Sequence, residues 1–271
     1  MPTREFGMAF KSDAAQADNT AMASPRNILV ILTCAQRGDA LSAAGNWPID
    51  TPHFDAIASH GLALTAISPS PARLPALVSM YTGLHPRQHG VFDDHATPPR
   101  LTGWLAALRE VGYQTAGVGR VGLVADQLDH KRIVAEPHVT EIEACEYLRY
   151  AASVGLVEQV AHQRKVAQRT ALFAPADGLA EPADDVDGFI TSAAVRMIEQ
   201  MPAHRPWCLV VAYTGPGNRL PAPPVYLDCI DPEPLAESFV PAQVAELDAF
   251  GQFDFPRTML QQLSPQAAAG I

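Results

Sequence analysis

The chain has 271 residues, of which 48% are hydrophobic and 18% are charged, and its formal net charge is −10. This composition is typical of a globular protein, and a chain of this length buries roughly 70–75% of its unfolded surface without disulfides or a structural metal. The acidic balance and the lack of a basic run argue against a nucleic-acid-binding surface.

Cysteine spacing and hydropathy indicate the compartment. Residues 1–25 are polar, lack the apolar core of a secretory signal, and are expected to form a disordered arm. No apolar run approaches the roughly 18 residues that span a bilayer. The four cysteines form no Cys-x-x-Cys pair, as expected of buried thiols in a reducing compartment: Cys34, Cys145, Cys208 and Cys229. We therefore expect a cytoplasmic protein without a membrane span.

Strands and helices are predicted in alternation along residues 26–220. The run at 27–33 is continuously apolar and β-branched, which is typical of a strand buried on both faces. Further strands are predicted at 62–67, 113–118 and 207–214. Helices are predicted at 51–61, 75–83, 101–111 and 186–201. An insertion at 126–183 is expected to be partly helical, around 141–150 and 156–169.

This alternation predicts an α/β fold, a three-layer sandwich around a mostly parallel (mixed) sheet with helices on both faces. Residues 221–271 are rich in proline and are expected to form an irregular extension. Ligands of such sheets bind at the carboxyl ends of the strands. The loops of interest are therefore those at 34–39, 68–75, 119–124 and 215–218.

Several short segments resemble the sulfatase branch of the alkaline phosphatase superfamily, and they occur in the order that the family shows. The most specific is 81–91 (YTGLHPRQHGV), and the others are 26–32 (RNILVIL), 50–55 (DTPHFD), 112–115 (GYQT) and 206–213 (PWCLVVAY). The resemblance covers roughly residues 26–239. It implies a truncated alkaline-phosphatase-like fold that corresponds to the N-terminal half of the family.

The resemblance also locates the family's nucleophile, a Cys or Ser in a Cys-x-Pro-Ser-Arg motif that is oxidised to formylglycine. Aligned on Thr82 and Gly83, this motif falls on residues 73–77 (RLPAL), so Arg73 occupies the nucleophile position. A protonated guanidinium has no lone pair with which to attack. A register shifted by three residues would retain Ser70 and is the alternative.

The metal site of the family also lacks its residues. The resemblance places its paired aspartates at Cys34 and Ala35, whereas Ca²⁺ or Mg²⁺ needs several oxygen ligands. The family's Gly-Lys-Trp-His segment aligns with 119–122, where Arg120 keeps the charge and Gly122 replaces the histidine. A second histidine of the family is replaced by Gly217. We therefore expect no metal and no cofactor.

Three arginines map to the mouth of this pocket: Arg37, Arg73 and Arg120. They are interpreted either as ordinary exposed arginines or as a site for sulfate or phosphate. Cys34 is interpreted either as an inert thiol or as one activated by a nearby arginine. The cluster His85, His89, Asp93, Asp94 and His95 is interpreted as a hydrogen-bonded loop rather than a metal site, and Asp187 as favourable charge at a helix N-terminus.

Because the family's nucleophile, metal-binding aspartates and histidines are each replaced, the sequence predicts a pseudoenzyme. Its expected role is that of a structural or regulatory subunit, with a second copy or a larger enzyme covering an exposed apolar sheet edge. One alternative is a divergent sulfuric or phosphonic ester hydrolase that uses Ser70 or Cys34 as its nucleophile. The other is a small-anion-binding module.

Overall fold

The computed structural model describes residues 25–36, 38, 40–44, 50–98, 102–133, 145–169, 179, 181–216 and 223–227. In these residues four parallel strands form one sheet in the order β1-β4-β2-β3. The strands are β1 (Ile28–Leu32), β2 (Gln114–Gly119), β3 (His130–Ile133) and β4 (Trp207–Ala212).

Eight α-helices belong to the described part of the chain. They are α1 (Pro52–Ser59), α2 (Arg73–Thr82), α3 (Pro86–His89), α4 (Trp104–Glu110), α5 (Glu146–Ser153), α6 (Val157–Arg169), α7 (Val186–Glu199) and α8 (Pro224–Leu227). None of them is long and apolar enough to cross a bilayer.

The core has two halves, one on each face of the sheet. On one face Cys208, Val210 and Ala212 of β4 pack with residues of α2 and α4, including Tyr81 and Leu105. The alternating residues Leu209 and Val211 pack on the opposite face with α5, α6 and α7. Because successive side chains of a strand point to opposite faces, β4 stabilises both helical layers.

The predicted three-layer α/β fold is therefore confirmed. The strands predicted at 113–118 and 207–214 appear as β2 and β4, and the predicted helices appear with shifts of a few residues at their ends. Helix α2 ends where Gly83 adopts a left-handed conformation with φ +73°, as is common at helix C-termini. All four described strands are parallel, so the antiparallel component of the expected mixed sheet is not seen among them.

The prediction of a strand at 62–67 was wrong. These residues form no regular structure, and Leu62 and Ile67 are 86% and 92% exposed. A run of apolar and β-branched residues favours an extended backbone, but a strand also needs a neighbour with which to exchange hydrogen bonds. In the described part of the chain, this segment has none.

The strand predicted at 27–33 exists as β1, but it is not buried on both faces. Strand β1 pairs with β4 alone and forms an edge of the described sheet. Leu29 and Ile31 are 47% and 46% exposed, whereas Leu209 and Val211, their partners in register on β4, are 0% and 2% exposed. An apolar strand therefore lies at the edge of the described sheet, without the charges or prolines that usually prevent pairing with another strand.

The predicted insertion at 126–183 contributes to the sheet and to the core. Strand β3 pairs with β2, and helices α5 and α6 lie close to the two helical segments predicted at 141–150 and 156–169. Tyr147 and Leu148 of α5 are buried against α7. The N-terminal arm and most of the Pro-rich extension lie outside the described residues.

The carboxylate of Asp187 holds the loop after β4, and that loop in turn holds the loop after β1. From the first turn of α7, its Oδ1 accepts hydrogen bonds from the amide (2.8 Å) and hydroxyl (2.7 Å) of Thr214, and its Oδ2 accepts one from the Gly215 amide (2.8 Å). The Gly215 carbonyl in turn accepts a hydrogen bond from the Cys34 amide at 2.8 Å. The loops after β1 and β4 are thereby held together.

We predict that Gly119→Ala destabilises the fold much more than Gly112→Ala. Both glycines have positive φ, +90° and +94°, so alanine at either position costs about 1–2 kcal/mol of backbone strain. Only at Gly119 would the new Cβ lie 2.0 Å from the Ala212 carbonyl oxygen, which adds about 1–3 kcal/mol or more of overpacking. Urea denaturation of the two variants measures this difference, and equal losses would contradict it.

We also predict that Asp187→Asn loosens the loop that holds Cys34. Loss of the charge is expected to lower the free energy of unfolding by about 1–3 kcal/mol, because hydrogen bonds to a charged group are the stronger ones. The Cys34 thiol should then react faster with an aromatic disulfide reagent in a Cys229→Ser background. Glu199→Gln, which removes the same charge at the other end of α7, is the control and should leave that rate unchanged.

Candidate functional site

The loops that follow β1, β2 and β4 meet at one edge of the sheet, a region called the crevice below, and the side chains of Cys34 and Arg120 are in contact there. The Nη1 atom of Arg120 lies 3.6 Å from the Cys34 sulfur. The Arg120 amide donates a hydrogen bond to the Ala212 carbonyl at 2.9 Å, which fixes the start of the loop after β2. Parallel pairing thus joins two residues that lie 86 positions apart in the sequence.

The metal that the resemblance implies does not fit the residues in this crevice. Cys34 is a half-buried thiol, and Ala35 is exposed and has a left-handed backbone with φ 59°. Neither side chain offers the oxygen ligands that Ca²⁺ or Mg²⁺ prefers. Throughout the described residues, no group of three His, Cys, Asp or Glu side chains is arranged to hold a metal ion.

The Asp187 carboxylate is close to the crevice, but its hydrogen bonds already occupy it. Three donors from Thr214 and Gly215 bind its two oxygens. Three of the roughly four lone-pair positions of this carboxylate therefore hold the loop after β4. Asp187 is therefore a positioning residue of the crevice, a role that its location at a helix N-terminus did not reveal in the sequence.

Arg73, at the family's nucleophile position, is exposed on the first turn of α2. The next amide along the helix, that of Leu74, donates a hydrogen bond to the Asp94 carboxylate. Asp94 therefore caps the helix N-terminus, where the amides and the helix dipole would otherwise favour a bound anion. No local pattern predicts this contact, because Asp94 follows Leu74 by twenty residues.

The alternative nucleophile, Ser70, takes part in a local turn. Its hydroxyl oxygen accepts a hydrogen bond from the Ala72 amide at 3.1 Å. Among the described residues, no histidine or carboxylate forms a hydrogen bond with that hydroxyl. A serine nucleophile needs an adjacent base to remove its proton, and Ser70 has no such partner in the described structure.

Gly122 begins a 3-10 helix, Gly122–Gln127, and is exposed. It lies at the rim of a pocket of about 520 Å³ that Tyr81, Asp126 and Lys131 also line. Burial raises the pKa of Tyr81 to about 12, so its phenol stays protonated and cannot act as a general base near neutral pH. Arg37 and Gly217 lie outside the described residues, so the three-arginine anion site remains a prediction.

The histidine and aspartate cluster at 85–95 is held by hydrogen bonds. His89 is buried, its Nδ1 accepts a hydrogen bond from the Val91 amide at 3.1 Å, and its Nε2 lies 2.9 Å from the Ser79 hydroxyl. Because an amide can only donate, the Nδ1 atom carries no proton and the ring is the neutral Nε2–H tautomer. The cluster is therefore structural, although Pro86–His89 forms a short helix where a loop was expected.

Part of the chain is similar to known families. A model of the type I phosphodiesterase/nucleotide pyrophosphatase family matches residues 30–104. An ulvan-active sulfatase of Formosa agariphila is 36% identical over 96 residues, which are 35% of this chain and 19% of that protein. The residues that the family model matches include the last three residues of β1, together with α1, α2 and the segment at 81–91.

The fold is similar to that of the phosphonate monoester hydrolase of Agrobacterium radiobacter. The TM-score is 0.64 at 22% sequence identity, over 77% of this chain and 44% of that enzyme. This chain therefore matches less than half the length of either relative. Part of the chain is therefore similar in sequence to a phosphodiesterase family and to a sulfatase, and its fold is similar to that of the phosphonate monoester hydrolase.

Proposed function

We propose that the chain is a catalytically inactive sulfatase-like protein that acts as a structural or regulatory subunit of a larger assembly. The observation that carries this proposal is the contact between Cys34 and Arg120. A thiol and a guanidinium are paired where a metal-dependent ester hydrolase needs carboxylates. The fold of the pocket is retained while its reagents are replaced.

The nucleophile position supports the same proposal. Ester hydrolysis at sulfur or phosphorus requires an electron pair on the attacking atom, and the Arg73 guanidinium has none to offer. Ser70 has no basic partner among the described residues, and Asp94 occupies the α2 N-terminus where a substrate anion could otherwise bind. Neither alignment of the family motif, with Arg73 or with Ser70 at the nucleophile position, therefore supplies a nucleophile together with its base.

The exposed edge supports the role of a subunit. Strand β1 presents Leu29 and Ile31 at nearly half exposure, and β4 is its only paired neighbour among the described strands. Exposed apolar edges are aggregation sites unless another element covers them. Association with another chain would remove this liability and give a protein without catalytic residues a reason to keep the fold.

The proposal predicts that the purified chain hydrolyses neither 4-nitrophenyl sulfate nor a 4-nitrophenyl phosphonate monoester above the buffer rate, with or without added Ca²⁺ or Mg²⁺. The physical reason is that the described residues of the crevice supply neither a nucleophile with a base nor a set of oxygen ligands. Release of 4-nitrophenolate, followed by absorbance, measures this. Cys34→Ala and Ser70→Ala, purified in the same way, are the matched controls.

A second candidate is a divergent hydrolase in which the Cys34 thiolate attacks phosphorus and displaces the alkoxide, which takes a proton from water. A second water then hydrolyses the sulfur–phosphorus bond and regenerates the thiol. The 3.6 Å contact with Arg120 favours it, because a fixed guanidinium can stabilise the developing negative charge. Hydrolysis that is lost in Cys34→Ala but kept in Ser70→Ala would establish this candidate. That result would overturn the pseudoenzyme proposal.

The anion-binding alternative is tested through stability. If the chain has no anion site, sodium sulfate should shift the melting temperature no more than sodium chloride of equal ionic strength, because only a bound ligand stabilises the native state by mass action. Differential scanning fluorimetry of the wild type, Arg73→Ala and Arg120→Ala makes the comparison. A sulfate-specific rise that either variant abolishes would favour the anion-binding module.

A further inference from the structure

The free edge of β1 has the properties of an interior strand. Its sequence, ILVIL, contains no charge and no proline, which are the usual means of protecting an edge from pairing. In the described sheet its only hydrogen-bonded neighbour is β4. One side of the strand therefore leaves backbone donors and acceptors available to another strand.

Both faces of β1 are apolar at this edge. On one face Leu29 and Ile31 are nearly half exposed. On the other face, Ile28 and Val30 form an apolar groove with the adjacent side of α4, lined also by Trp104, Ala107, Leu108 and Val111. An occupant must therefore be an extended strand that is apolar on both faces, since an alternating strand would bury polar side chains on one of them.

We propose that a second copy of this chain is that occupant, and that the two β1 strands pair antiparallel about a two-fold axis at Val30. The two sheets of four described strands would then form one continuous sheet. The proposal rests on the subunit role proposed above and specifies its partner. It follows from the self-complementarity of the β1 sequence.

The antiparallel register gives each β1 residue an apolar neighbour on the same face. Val30 lies opposite the partner's Val30, Leu29 lies opposite the partner's Ile31, and Ile28 lies opposite the partner's Leu32. Directly opposed side chains of antiparallel strands contact each other, so the half-exposed Leu29 and Ile31 would cover their counterparts. The flanking residue Asn27 would meet the partner's Thr33, a polar pair.

Charge does not oppose this register, although the chain as a whole is acidic. The charged residue nearest the strand is Arg26, and it would lie opposite the partner's Cys34, which is uncharged. A two-fold axis also closes the assembly after two copies, because both copies contribute the same surface to the contact.

The same axis unites the two apolar grooves. Since it runs perpendicular to the sheet, it leaves both α4 helices on one face, where Val111, at 72% exposure, borders the groove. A five-residue strand pair is only about 17 Å long, so strand and groove together fall at the low end of specific interfaces, which bury roughly 1,200–2,000 Å². We therefore expect a dimer that dissociates on dilution.

Sedimentation velocity of the full chain over a range of concentrations tests the inference. The wild type is expected to reach twice the 29.0 kDa mass of one chain as the concentration rises. Ile31→Lys should remain at 29.0 kDa, because it places a charge against the partner's Leu29 in the interface. Val195→Lys, at a residue of α7 with 50% exposure, is the matched control and should dimerise as the wild type does.

Disulfide crosslinking tests the register and does not depend on the folding of Ile31→Lys. In a Cys34→Ser, Cys229→Ser background, Val30→Cys should form a covalent dimer with a mild diazene oxidant, which takes two electrons and two protons from the two thiols. Ile28→Cys is the control, because the two copies of residue 28 would lie four residues apart along the strand and could not form a disulfide.

A monomer at every concentration would overturn the inference, as would a dimer that Ile31→Lys leaves intact or equal crosslinking at residues 28 and 30. A stable complex with a different polypeptide bound at β1 would overturn the second-copy inference while supporting the subunit role. Hydrolysis that depends on Cys34 would overturn the proposed lack of activity without affecting the dimer. The two proposals therefore fail in distinguishable ways.

Discussion

The parallel pairing of β4 with both β1 and β2 is the constraint on which the rest of this structure depends. Strand β4 is fully paired, buries alternate side chains in both halves of the core, and lies between two strands that are distant from it in sequence. Because the three strands run in one direction, the loops that follow them meet at one edge. Gly119 makes this possible, since any side chain there would collide with the Ala212 carbonyl.

In the crevice at that edge, the backbone arrangement is maintained although the side chains expected for catalysis are replaced. Asp187 holds the loop after β4, that loop holds the Cys34 amide, and Arg120 contacts the Cys34 sulfur, so the geometry of the pocket is maintained by hydrogen bonds. The side chains that maintain it are not those of a metal-dependent hydrolase. Function depends on the residues of a site rather than on its fold, and this is the basis for proposing an inactive protein.

The β1 edge shows a conflict between local sequence and position in the fold. An uninterrupted apolar run is suited to the middle of a sheet, and in the described structure it lies at an edge with both faces partly exposed. In natural proteins the local sequence usually suits its position in the fold. The conflict at β1 therefore indicates either that a partner covers the strand or that the strand is prone to aggregation. The quasi-palindromic sequence of β1 makes a second copy the partner that satisfies both faces.

The sequence by itself determined six of the eight described α-helices, three of the four described strands and the family resemblance, because periodicity and short motifs are local properties. It failed at 62–67, where an apolar run indicated a strand but could not provide a neighbour. Only the tertiary structure decided that Cys34 and Arg120 are in contact, that Asp187 holds a loop and Asp94 caps α2, and that β1 is an edge of the described sheet. These features depend on which distant segments the parallel sheet brings together, and no local pattern encodes that choice.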